Sequence, residues 1–216
     1  MLKSPLARAQ LKRWRKALLA RTPLWALAAG AGVTPLLIIN LAVSVLGHST
    51  VFPLSPFFLP QKVAALGLFA RHLPHCLWSG HGDRDALIDQ AERNEGLAPG
   101  LLHALIEVES EGKPHRISPA GATGLAQLMP ATAEQLGVKD PFDSAEAING
   151  GAHYLGVQVH ARRDIRLGLA AYNAGPGAVG LTVPRNGETE EYVRKVMSAY
   201  ARQKLLRASA KRAAHR

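Results

Sequence analysis

Apolar residues recur at helical spacing through most of the second half of the chain, and no alternating run is long enough to require a sheet. In LLHALIEVES, Leu101, Leu105 and Glu109 fall at i, i+4 and i+8, with Leu102 and Ile106 beside them. At 100° per residue Glu109 lies about 40° from Leu105, whereas Glu107 and Glu111 lie roughly 200° and 240° away. Of three glutamates within five residues, only Glu109 points along the apolar stripe. Upstream, DRDALIDQAERNEG places Leu87, Ile88 and Ala91 on one face and stops at Gly96. Pro99 is placed to open the Glu109 helix, because its fixed φ suits a first turn. Ser118–Gly124 is loop chemistry, and PATAEQLG is a short helix ending at Gly137. Asp143 with Glu146 makes a capping box for a helix carrying Ala147, Ile148, Gly151, Tyr154 and Leu155, of which Tyr154 is expected in the core. Asp164 caps IRLGLAAYN, and a last helix from about Thr189 aligns Tyr192, Val196 and Tyr200. The pattern predicts an all-α domain of short helices with glycine-rich joints.

The front of the chain follows another rule. From Thr22 to Gln61 there is no Lys, Arg, Asp or Glu, and Pro23–Gly47 is about the length that crosses a bilayer. Seven positive charges precede it and only Lys62 and Arg71 follow nearby, so the positive-inside bias keeps the N-terminus cytoplasmic and exports the rest. A cleaved signal peptide is the rival, although its apolar core usually spans about 7–15 residues. Residues 48–82, with Pro53, Pro56, Pro60 and Pro74, read as a membrane-hugging or partner-docking linker. The resulting order is a basic cytoplasmic arm (1–21), a transmembrane anchor or long signal segment (22–47), the linker (48–82), the helical domain (83–201) and a basic tail (202–216).

Charge placement narrows the functional class. The formal net charge of +10 belongs to the two arms, because Asp83–Ala201 holds 11 basic residues against 16 acidic ones. A nucleic-acid-binding domain carries its basic patch on the folded body, so nucleic acid is not expected as a partner. Cys76 is the only cysteine and excludes an intrachain disulfide. His72, His75, Cys76 and His81 match no standard zinc spacing and read as surface residues of the linker. No metal or organic cofactor is called for.

The segments ALIEVES (104–110), SPAGA (118–122), GLAQLMPATA (124–133), AYNAG (171–175) and ETEEYV (188–193) occur in this order across about 120 residues. Together they resemble lytic transglycosylases of the soluble type, which are related in fold to goose-type lysozyme. The resemblance implies a lysozyme-like helical domain that cleaves the β-1,4 bond between N-acetylmuramic acid and N-acetylglucosamine in peptidoglycan glycan strands and leaves a 1,6-anhydromuramoyl end. It implies Glu109 as the sole catalytic acid and base, and a carboxyl held against apolar side chains suits that role because burial raises its pKa. By the same carry-over, Tyr192 hydrogen-bonds Glu109, Ser110 holds the local geometry, Gln127 and Asn173 offer amides to the sugar, and Tyr172 lines the cleft.

Two departures stand out. Ala126 replaces the family's usual methionine, which implies a shallower cleft floor, and Gly112 stands where an aromatic is common. A hydrolysing muramidase and a non-catalytic wall-binding scaffold are the alternative readings. With an anchor at 23–47, the expected location is the inner membrane, single-pass, with the domain in the periplasm. Small size and basic arms suit local wall opening for a secretion or conjugation apparatus.

Overall fold

The computed structural model describes residues 24–76 and 83–214. The basic arm 1–21, Pro23, His81 and the last two residues of the tail lie outside the described residues. Two helices come first, α1 (Leu24–Leu46) with Pro35 inside it and α2 (Leu59–Cys76). The domain then follows as α3 (Arg84–Asn94), α4 (Leu101–Ser110), α5 (Pro130–Gln135), α6 (Ser144–Arg162), α7 (Ile165–Ala174) and α8 (Glu188–Ala214), with a 3-10 turn at Pro176–Ala178. Isolated bridges at Ile117, Thr123 and Leu128 are the extended pairings among the described residues. The all-helical expectation holds.

Leu101, Leu102 and Leu105 of α4 are fully buried against Ile148 and Leu155 of α6, Leu169 of α7 and Val196 of α8. Removing that apolar area from water is the main term holding the domain together, at roughly 25 cal/mol per Å². Polar caps start the helices as expected at two places. Asp143 accepts from the amides of Ala145 and Glu146, and Asp164 accepts from that of Leu167.

Two other expectations need correction. Glu146 does not close a capping box, because its carboxylate takes the Lys139 and Asp140 amides at 2.8 and 3.0 Å. Nor does Pro99 open α4. Its N-cap is Gly100 at φ 90°, and its free amides are taken by the buried carboxylate of Glu92, which accepts from Gly100 and Leu102 at 2.8 Å each. A helix begins with unpaired N–H groups, and here a side chain from α3 satisfies them.

The segment ahead of the domain is docked on it. Val43 of α1, Ala65 of α2, Ile117 and Phe142 form a second buried cluster. His72 is buried, not on the surface, with Nδ1 2.7 Å from Asp140 and Nε2 3.2 Å from His115. At the other end, α8 runs unbroken past Ala201 to Ala214, and Arg202 and Arg207 return to Glu107 and Asp89. Among the described residues no helix is long and apolar enough to cross a membrane. From Gly30 onward α1 nonetheless leaves Ile38, Leu41 and Val45 more than 60% exposed (61%, 64% and 63%).

The loop leading from α4 to α5 turns at Gly124, with φ 75°, where an added Cβ would meet the Pro141 carbonyl oxygen at 1.8 Å. No side chain fits against backbone at that distance, and the left-handed φ adds strain. Gly124→Ala is therefore expected to destabilise the domain by about 3 kcal/mol or more, measured as a lowered urea midpoint with an unchanged slope.

Candidate functional site

Helix α4 sorts Glu107 and Glu109 as its spacing predicts, while Glu111 falls just past its end as the C-cap at φ 56°. Glu107 is exposed and pairs with Arg202 at 2.6 Å, and Glu111 is exposed and pairs with Lys113 and Arg116 at 2.6 and 3.0 Å. Glu109 turns instead toward α8, where the Tyr192 hydroxyl donates to its Oε1 at 2.6 Å. Burial penalises the anion and raises the carboxyl from an ordinary 4.5 to about 7, against the opposing pull of the Tyr192 hydroxyl and the Arg116 charge. Its place in the last turn of α4 works in the same direction as burial, since the carbonyl end of a helix disfavours negative charge. Burial also pushes the Tyr192 and Tyr172 phenols well above their ordinary value, so both remain proton donors.

The carboxyl lies on the wall of an open cleft of about 620 Å³ whose lining includes Gln127, Tyr154, Tyr172, Asn173 and Phe58. Gln127 sits at φ 47° and donates its amide to the Gly124 and Arg116 carbonyls at 2.8 and 3.1 Å. Both amide protons are thus committed to the loop, and only its carbonyl oxygen is left for a ligand. The Tyr172 hydroxyl donates to the Ala126 carbonyl at 2.7 Å, which fixes the ring at the cleft edge. Asn173 lines the cleft and is exposed. Ser110 is fully buried and donates to the Ile106 carbonyl at 3.1 Å, closing the last turn under Glu109.

The expected effect of Ala126 on the cleft floor is corrected here. Its side chain is buried in the core, with no room for a Cβ on the facing Gly151, where one would approach to 2.5 Å. Gly112 at φ 72° forms the turn after α4, and Arg84 donates to its carbonyl at 2.7 Å.

Three residues were not foreseen. Tyr154, expected in the core, is half-buried in the cleft with its ring 5.0 Å from that of Tyr172. Its helical stripe gave the face but could not separate core from groove. Phe58 reaches the cleft from the linker, for which no local pattern gives a signal. Glu92, the cap of α4, was legible only as a charge on an otherwise apolar face.

Among known proteins, the family model described as the transglycosylase SLT domain matches residues 86–195. The chain is 36% identical over 110 residues to a transglycosylase of Enterobacteria phage PRD1, covering 51% of this chain and 40% of that protein. It is 41% identical over 99 residues to the membrane-bound lytic murein transglycosylase F of Alcanivorax borkumensis, covering 42% of this chain and 21% of that protein. The chain thus spans less than half the length of these curated relatives. In fold it resembles the 70 kDa soluble lytic transglycosylase of Escherichia coli, with a TM-score of 0.50 at 23% identity over 70% of this chain and 31% of that one.

The raised carboxyl yields a prediction independent of activity. A group whose folded pKa lies above its unfolded value withdraws stability as pH rises between the two. Glu109→Gln should therefore gain on the wild type from about 4.5 to about 7 and level off above, by up to about 3 kcal/mol, with no gain from this group at pH 3. Because the Tyr192 hydroxyl favours the anion, Tyr192→Phe should move the Glu109 titration upward. Urea melts across pH and carbon-detected NMR of the carboxyl check the two statements.

Proposed function

The chain belongs to the transglycosylase SLT domain family, and on that premise we propose that it is a peptidoglycan lytic transglycosylase with Glu109 as its single catalytic acid and base. The observation that carries this is the Glu109 carboxyl on the wall of a saccharide-sized cleft, accepting from the Tyr192 hydroxyl at 2.6 Å, where burial raises its pKa to about 7. As acid, Glu109 gives its proton to the oxygen of the β-1,4 bond between N-acetylmuramic acid and N-acetylglucosamine, and that bond breaks at the anomeric carbon. As base, the resulting carboxylate takes the proton of the muramoyl 6-hydroxyl, whose oxygen closes on the anomeric carbon as a 1,6-anhydro ring. The proton returns to Glu109 and no water enters the balance. No second carboxylate nucleophile is required if the 2-acetamido group assists, a recognised exception to the two-carboxylate scheme. Glu188 lies at the cleft but is exposed, a poor setting for such a nucleophile.

The other residues take supporting parts in this reading. Tyr192 orients the carboxyl and holds its pKa from rising further. Ser110 secures the helix turn beneath it. Asn173 offers an amide to the N-acetyl or hydroxyl groups, Gln127 offers its carbonyl oxygen alone, and Tyr172 supplies an apolar wall.

The membrane part of the reading rests on the uncharged helix Leu24–Leu46, on its exposed Ile38, Leu41 and Val45, and on relatives named as membrane-bound. In this reading residues 23–47 anchor the chain in the inner membrane with the domain in the periplasm. Local wall opening for a secretion or conjugation apparatus then fits the small domain, and normal transfer by a Glu109→Gln strain would count against that service.

Glu109→Gln is expected to lower cleavage of purified sacculi by about 10³-fold while binding persists. Mass spectrometry of the wild-type products should find anhydro ends, each one water lighter than the hydrolytic product. Reducing ends would identify a muramidase instead, and an absence of cleavage a scaffold. Activity should fall about tenfold per pH unit above about 7, as the acid loses its proton. After membrane fractionation the chain should stay in the pellet at alkaline pH, and its release would refute the anchor.

A further inference from the structure

One residue of the cleft lining comes from outside the family domain. The matched residues are 86–195, yet Phe58, the residue just before α2, lines the same cavity as Glu109, Gln127 and Tyr172. Phe58 is 53% exposed and stands at φ 57°, a left-handed conformation that bulky side chains rarely adopt. Strain of this kind persists only where the surroundings over-determine it, and it gathers at functional sites.

The surroundings do over-determine it. Lys62, 1% exposed, donates from Nζ to the Asn40 Oδ1 at 2.7 Å. Asn40 in turn donates to the Pro53 and Ser55 carbonyls at 3.0 Å each, which pins the loop that leads to Phe58. The Phe58 carbonyl accepts the Lys62 amide at 2.9 Å and so starts α2. That first turn lies against the cleft loop: a Cβ on Gly121, at φ 91°, would sit 2.7 Å from the Gln61 carbonyl carbon. Farther along α2, His72 holds Asp140 at 2.7 Å. The backbone of a half-exposed phenylalanine is thereby held at a cleft whose lining also includes Ser118, Pro119 and Ala120.

We propose that Phe58 is a saccharide-stacking residue, and that the linker completes the glycan cleft by presenting this ring to the apolar face of a sugar. A pyranose offers C–H groups on one face and hydroxyls around its edge. Cleft sites that bind such molecules combine aromatic surface with a few directed polar groups, and Phe58 with Asn173 and Gln127 provides both. Covering the ring with sugar removes apolar surface from water, which is the driving force for its contribution. Phe57, the preceding residue and 71% exposed, is not part of the cleft lining and serves as the internal control. The proposal deepens the transglycosylase reading and rests on it for the identity of the ligand.

The test uses the full chain carrying Glu109→Gln, titrated with N-acetylglucosamine hexamer by calorimetry. Adding Phe58→Ala is expected to raise Kd about tenfold, and Phe58→Trp to return it to within about twofold, while Phe57→Ala leaves it unchanged. Phe58→Gly separates binding from folding, because glycine accepts the positive φ. Its thermal midpoint should be no lower than that of the parent while its Kd rises as for alanine. In chains that retain Glu109, Phe58→Ala should raise KM on glycan strands with kcat held within about twofold. Equal Kd for Phe58→Ala and the parent, failure of Phe58→Trp to restore binding, or no hexamer binding by the parent would overturn the proposal. A Phe58-dependent Kd in a chain whose wild type releases no anhydro ends would leave the stacking residue standing and remove the proposed reaction.

Discussion

The hydrogen bond from Tyr192 to Glu109 joins residues 83 positions apart, and little of the site makes sense without it. It can form only if α4 and α8 pack side by side, so the apolar cores of both helices are preconditions of the contact. It also opposes the dominant effect at the site. Burial alone would push the carboxyl higher, whereas the phenol and the Arg116 charge pull it back to about 7. A general acid works best with a pKa near the ambient pH, and this value comes from a large penalty partly offset by two smaller attractions.

Helix α4 is held at both ends by groups from elsewhere in the chain. Glu92 of α3 satisfies its first amides, and Ser110 and the Glu111 turn close its last one. A ten-residue helix is too short to persist alone in water, so these caps and the core position Glu109. The C-terminal extension of α8 reaches back to both α3 and α4. Arg202 reaches Glu107, and Arg207 reaches Asp89 and lies 3.7 Å from Glu92. At least part of the positive charge that composition places in a tail is therefore folded back onto the acidic domain. That placement explains why a net charge of +10 carries so little information about partners here.

Features set by neighbours in sequence were legible, and features set by packing were not. The orientation of Glu109 followed from 100° per residue, and the Asp143 and Asp164 caps followed from their positions before apolar runs. Glu146 failed as a capping-box partner because the Lys139 and Asp140 amides, brought near by the preceding turn, took its carboxylate first. Pro99 failed as a helix opener because Glu92, seven residues earlier, already held the amides. The Gln127 motif was legible, but its chemistry was only half so. A glutamine at φ 47° with both amide protons committed to the loop is as much a structural brace as a ligand group. Tyr154 and Ala126 exchanged their expected places, cleft for core, since both sides of a buried groove show the same apolar periodicity.

The docked linker bears on what a family domain contains. A buried ammonium with an amide partner is an expensive way to join two helices, and an apolar pair of the same size would desolvate at less cost. What the Lys62–Asn40 pair adds is direction, because its hydrogen bonds fix one arrangement of the 53–55 loop where an apolar contact would tolerate several. Direction matters in this loop because it ends in a residue at a strained φ on the cleft wall. The domain alone, bounded by 86–195, supplies the acid, its phenol and the amides. In the proposed reading, the segment before it adds Phe58 to the lining of the groove they face.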